Sequence, residues 1–223
     1  MSWHRVERTA VANALQATGP GAPTCCAGWR TEHLAAHLVL RERSPLTAAG
    51  IAIPVLAGRT ERVTTRTGDE AAATPRGYAR LVGQVRAGPP VWSPVGLAGD
   101  RAQLVEMFVH TEDVRRGRGR GSAVRRTLPA GEQTALWATL GRTSPLLLHD
   151  SPVGLVLTDG ERTVRARRPP ASPAGGVPTG RDVVVRGAVG ELVLFACGRS
   201  TVAEVELEGN PDAVRALELV RPR

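Results

Sequence analysis

The chain contains no lysine. All 29 of its basic residues are arginine, against 21 acidic ones, giving a net charge of +8 and a pI near 11.1. A balance this positive invites a nucleic-acid role. The uniform use of arginine beside abundant Ala, Gly, Pro and Val instead looks like coding bias in a GC-rich genome. Aromatic residues make up only 3% of the chain, so the side chains that stack bases between charges are scarce. Nucleic acid is therefore not an expected partner. Long apolar runs are missing as well: nothing approaches the roughly 18 residues of a membrane span. The N-terminus "MSWHRVERTAVANAL" is amphipathic and charged, without the apolar core and cleavage site of a signal peptide. A cytoplasmic protein with no membrane partner is expected. Cysteines are few and odd in number (Cys25, Cys26, Cys197), which argues against a disulfide framework. Cys26 reads as a packed small residue rather than a nucleophile.

What is present is ordinary hydrophobic content, 42%, carried by Ala, Val and Leu over 223 residues. That is enough for one generous domain or two small ones. The first half reads as helices at 3–19, 31–43, 75–88 and 99–117, with Thr31 and Asp100 as expected N-caps and a long Pro- and Gly-containing connection after the second. Four helices of this length predict a small bundle. The Arg-Gly run "VRRGRGRGSAVRR" (114–126) reads as a linker, with an anion-binding loop as its alternative. Beyond it the pattern changes. A helix at 131–141 precedes β-type runs at "LLLHD", "VGLVLTDGERTVRARR" and "DVVVRG", with "TDGE" as a hairpin turn. An apolar helix-length segment (188–198), an alternating strand "AEVELEG" and a helix opened by Asn210-Pro211 complete an α+β half. The segment "RRPPASPAGGVPTG" (167–180) is expected to be a loose loop. The fold class is thus α plus α+β, with domains at 1–120 and 121–223.

The histidines can be weighed singly. His4 and His149 have no ligand-type neighbours in sequence. His33 and His37 lie four apart on the second helix, and Glu106 and His110 four apart on the fourth, with Asp113 one turn on. Either pair alone is ordinarily a solvated face. His37 in "LAAHLVL" and His110 in "EMFVHTED", however, sit among apolar neighbours, where an imidazole must find a partner or a metal. Facing bundle helices can pool such ligands, and two His with one carboxylate leave coordination positions open.

Two segments, "CAGWRTEHLAAHLVLRE" (26–42) and "VEMFVHTEDVRR" (105–116), resemble the mycothiol-dependent maleylpyruvate isomerase family of DinB-like bundle proteins. "VVVRGAVGELVLFACGR" and "AEVELEGNPDAVRAL" are similar to that family's sterol-carrier-like second domain, so the resemblance spans nearly the whole chain. It implies a DinB-like four-helix bundle followed by a small α+β domain. It places the metal ligands on His37, Glu106 and His110, and matches His33 to a variable position. Asp113 could then orient a ligand imidazole, or pair with Arg115 or Arg116 on the surface. Arg41 could face an acidic substrate or pair with Glu42 or another neighbour. Arg199 is a candidate contact for the cosubstrate.

The implied cofactors are a divalent ion, zinc above all for this donor set, and mycothiol as cosubstrate. The implied chemistry is addition of the thiol to a small electrophile, as isomerase or S-transferase. The alternative is a non-catalytic metal-binding bundle whose second domain binds a small molecule or partner. The segment 44–75 departs from the isomerase and leaves the substrate open.

Overall fold

A computed structural model describes residues 2–44, 47, 54–90, 93, 100–170 and 182–221. They form two compact units, Met1–Ala123 and Val124–Arg223.

The first unit is helical: α1 (Trp3–Thr18), α2 (Thr31–Arg43), α3 (Pro54–Ala72), α4 (Pro75–Ala87) and α5 (Asp100–Arg115). In α1 a stripe of Glu7, Arg8, Val11, Ala12 and Leu15 is buried, the spacing of one helix face. The helix stops at Gly19, whose φ of 76° suits glycine and whose N–H reaches the Leu15 carbonyl at 3.0 Å. Helix α2 is buried on nearly every side. Its N-cap is Arg30 rather than Thr31, whose hydroxyl instead donates to the Gly19 carbonyl at 2.7 Å. The side chain of Asp100 lies outside the described residues. In α4, Thr74 caps the Gly77 N–H, and Tyr78, Leu81, Val82 and Val85 face inward.

The bundle therefore has five described helices, one more than the sequence pattern predicts. The additional one, α3, occupies what reads as a connection. Its inward face consists of Thr60, Val63, Thr64, Thr67, Gly68 and Ala71, which keep helical spacing but are mostly small or polar. A search for large apolar side chains passes over such a stripe. Small residues are what the packing requires: a Cβ at Gly68 would stand 2.8 Å from His33 Cδ2 and 3.0 Å from the Glu32 backbone.

Among the described residues α1 packs most closely on α5 and α2 on α3. Helices α2 and α5 meet instead through side chains, and that space holds the site. Beneath it lies a core of Leu15, Leu34, Leu38, Leu81, Val85 and Met107.

The second unit runs α6 (Ala130–Leu147), β1 (Gly154–Thr158), β2 (Thr163–Arg167), β3 (Asp182–Arg186), α7 (Val189–Ala196), β4 (Glu206–Gly209) and α8 (Pro211–Val220). The sheet order is β2-β1-β3-β4, with β1 and β3 parallel and the outer pairs antiparallel. The hairpin turns at Gly160, φ 97°, where Asp159 Oδ1 accepts the Arg162 N–H at 2.7 Å. Leu155, Leu157, Val183 and Val185 are fully buried, the period-2 alternation of a half-covered sheet. Helix α7 is buried throughout and packs on α6. Asn210 caps α8 through the Asp212 N–H at 2.9 Å.

The run "LLLHD" is not a strand. Helix α6 carries on through Pro145 to Leu147, and Leu148 is buried beyond it. A short apolar run cannot be told from a buried helix end by periodicity alone. Residues 171–181, most of the predicted loose loop, lie outside the described residues. No helix among the described residues is long and apolar enough to cross a membrane.

Candidate metal centre

The site begins with two helices that each place polar groups one turn apart toward the other. Helix α2 contributes His37 and Arg41, and α5 contributes Glu106, His110 and Asp113. The side chains of His37, Glu106 and His110 converge, with one ligand-type atom from each lying within 4.8 Å of the others. Glu106 Oε1 is the meeting point. It stands 3.3 Å from His110 Nε2, 3.6 Å from His37 Nε2 and 3.4 Å from Arg41 Nε. These separations are long for charge-assisted hydrogen bonds. They suit the edges of a coordination polyhedron, since ligands about 2.1 Å from a tetrahedral ion lie about 3.4 Å from one another.

The surroundings set the charges. Burial lowers the pKa of His37, helped by the nearby His110 and Arg41 and only partly offset by Glu106. Burial would likewise lower that of His110. Hydrogen bonds with Asp113, Cys26 and Glu106 override it and hold the imidazole well above 6.5. Burial works to raise Glu106, but its two histidine partners and Arg41 keep it well below 4.5. Without a cation, then, the cluster holds a carboxylate, a protonated His110 and a neutral His37. A divalent ion would take the place of that proton.

Asp113 is completely buried and accepts from His110 Nδ1 at 2.8 Å. It is not a surface partner of Arg115 or Arg116; both of those pair with Glu112, at 2.7 and 2.6 Å. A carboxylate on Nδ1 leaves Nε2 facing Glu106, the relation in which outer carboxylates orient ligand imidazoles.

Arg41 pairs with Glu106, while Glu42 is bound by the buried Arg8. Arg41 Nη1 is buried with no hydrogen-bond partner among the described residues, a donor available to an acidic group.

His33 points elsewhere: its Nδ1 accepts the Arg30 N–H at 3.2 Å and its Nε2 meets Asp69 at 2.9 Å. Glu32, also beside Asp69, accepts the Gly21 N–H at 2.6 Å. This second polar cluster finishes the start of α2 and ties it to α3. Arg199 belongs to the other unit, where its Nη1 donates to the Cys197 carbonyl at 2.7 Å.

Two residues at the site are given no role there by the sequence pattern. Cys26 Sγ donates to Asp113 Oδ2 at 3.2 Å across a separation of 87 positions. The Trp29 ring packs 5.0 Å from the His37 ring while its N–H donates to Glu61 on α3 at 2.8 Å. Spacing rules reach along one element and cannot register a partner on another. For both, only their place in "CAGWRTEHLAAHLVLRE" marks them.

No protein-family model matches the chain, and no curated protein matches it. Among solved structures it is similar to the mycothiol-dependent maleylpyruvate isomerase, with a TM-score of 0.55, and to a histidine-to-alanine mutant of that enzyme, with a TM-score of 0.59. Each is 16% identical and aligns over 92% of this chain and 90% of its own. At that identity the likeness establishes a shared fold across both units.

Proposed function

We propose that the protein is a metal-dependent enzyme that uses a low-molecular-weight thiol, mycothiol, to isomerise or S-conjugate a small electrophile. The observation that carries this reading is the convergence of His37, Glu106 and His110 at polyhedron-edge distances, with Asp113 behind His110. Two imidazoles and one carboxylate are a donor set suited to zinc. When bound, such an ion supplies Lewis acidity and lowers the pKa of an external thiol.

The chain's own residues have separate tasks. His37, Glu106 and His110 hold the ion, and Asp113 keeps the His110 Nδ1 proton so that Nε2 remains a ligand. Arg41, with Nη1 unused, receives a carboxylate of the substrate. Trp29 walls the site beside His37 and limits water. The external thiolate adds to an activated carbon–carbon double bond. The addition leaves an enolate: rotation about the new single bond and expulsion of the thiolate give isomerisation, and uptake of a proton from water with the C–S bond retained gives transfer. The fold shared with an isomerase named for mycothiol supports this choice of thiol.

The test is metal content of untagged protein by elemental analysis, beside His110→Ala. About one zinc per chain, lost in the variant, followed by thiol-dependent turnover of a maleyl-type acid, is the expected result. An apoprotein that refuses added zinc would overturn the enzyme reading.

A further inference from the structure

The first loop of the bundle is fixed to the end of α5 at several points. The Cys25 N–H donates to the Asp113 carbonyl at 3.0 Å. Gly117 lies so close to this loop that a Cβ there would fall 2.0 Å from the Pro23 carbonyl oxygen. Thr24 Oγ1 accepts the Cys26 N–H at 3.2 Å and donates to the Trp29 carbonyl at 2.8 Å, which folds the loop back on itself. Backbone and hydroxyl contacts thus set where the Cys26 side chain starts, and its thiol ends on Asp113 Oδ2 at 3.2 Å. The same Oδ2 accepts from His110 Nδ1.

The last torsion of a carboxylate is broad and roughly two-fold, so the donors around it bias where each oxygen stands. His110 Nδ1 and the thiol converge on the same oxygen, Oδ2, so the thiol, seated by the loop, biases where the acceptor of the His110 bond stands. A weak donor suffices here, because it need only bias a torsion and compensate a buried lone pair.

We infer that Cys26 is a positioning residue of this centre: its thiol fixes the Asp113 carboxylate, which in turn fixes the His110 ring. The inference rests on the metal reading proposed above and assigns Cys26 neither nucleophilic nor ligand chemistry.

The experiment compares full-length wild type, Cys26→Ala and Cys26→Ser, each checked for cooperative thermal unfolding. In metal-free protein, the downfield Nδ1–H resonance of His110, identified by its loss in His110→Gln, reports the bond to Asp113 without any ion. It is expected to persist in wild type and Cys26→Ser and to move or broaden in Cys26→Ala. Cobalt(II) affinity, read by competition with a chromophoric chelator, is expected to fall about 10- to 100-fold in Cys26→Ala. Cys26→Ser, which restores an O–H donor, should stay within a few-fold of wild type. A merely packed cysteine predicts a lower unfolding temperature in both variants with the resonance and the affinity unmoved, and that outcome overturns the inference. So does a thiolate-to-cobalt charge-transfer band in wild type that Cys26→Ser abolishes, since Cys26 would then be a ligand. If wild type binds no cobalt yet the resonance moves in Cys26→Ala, the metal reading falls and the Cys26–Asp113–His110 linkage stands.

Discussion

At the scale of single residues, the site is governed by which partner each imidazole nitrogen has. His110 must surrender its proton before Nε2 can coordinate. Because its pKa is held well above 6.5, the proton and the ion compete through neutral pH. Metal affinity is therefore expected to rise with pH and to weaken as pH falls through the folded pKa of His110. Calorimetry in buffers of different ionisation enthalpy would show proton release on ion binding at neutral pH; no release would contradict the assigned charge state. In metal-free protein the same group acts on stability. A histidine raised on folding contributes stabilisation that is present below about 6.5 and lost as pH climbs through its folded pKa. His110→Gln should flatten that part of a profile of unfolding temperature against pH. Asp113→Asn removes the negative charge and replaces one oxygen with an NH2 that cannot accept, leaving a single neutral carbonyl oxygen for His110 Nδ1 and the Cys26 thiol. A loss of roughly 10- to 100-fold in metal affinity is expected, with metal titration as the check.

Among elements, α3 shows how small residues can define a helix. Its inward stripe offers little apolar area, so its position depends on close approach to α2 at Gly68 and on the Trp29–Glu61 hydrogen bond. Gly68→Ala brings two opposing effects. Helix propensity favours alanine by about 1 kcal/mol, while overpacking costs about 1–3 kcal/mol. The Glu32 backbone is one of the atoms in the way and cannot swing aside, so overpacking prevails and the unfolding temperature should drop. Gly58 provides the contrast. It is exposed on the same helix with nothing within 4 Å of its would-be Cβ. Gly58→Ala should stabilise by up to about 1 kcal/mol. A drop in both variants would mean that α3 tolerates no added volume, and a rise in both that Gly68 is not a contact.

Over the whole molecule, the positive charge is spread through local pairs. Arg8 meets Glu42, Arg115 and Arg116 meet Glu112, Arg162 meets Asp159, Arg165 meets Asp182 and Arg186 meets Glu208. These pairs neutralise charge locally within each unit. A phosphate-backbone binder would show steep salt dependence. The expected outcome is weak retention on duplex DNA at 150 mM salt, checked by gel shift; tight, salt-sensitive binding would reverse this reading. Ligand linkage also acts at this scale. Zinc at 100 times its dissociation constant should raise stability by about 2.7 kcal/mol. Thermal unfolding with and without chelator would register it.

The sequence by itself determined the two-part order, helical first and α+β second, because the hydrophobic period changes from helical to alternating near the Arg-Gly run. It also located four of the five described bundle helices and the turn at Asp159-Gly160, where local stereochemistry decides. It marked Glu106, His110 and Asp113 as one stripe, since helix geometry alone aligns them. With the resemblance in "CAGWRTEHLAAHLVLRE" it nominated His37. Only the tertiary structure decided that His37 and Arg41 face that stripe, that His33 turns to the α2 N-terminus, and that Asp113 is buried under His110 while Glu112 takes the arginines. Cys26 and α3 belong to the same category. The thiol meets its partner across 87 positions, and the helix is held by closeness rather than by apolar bulk. Periodicity records which way a side chain leaves its own helix. What stands opposite is a property of the packed chain.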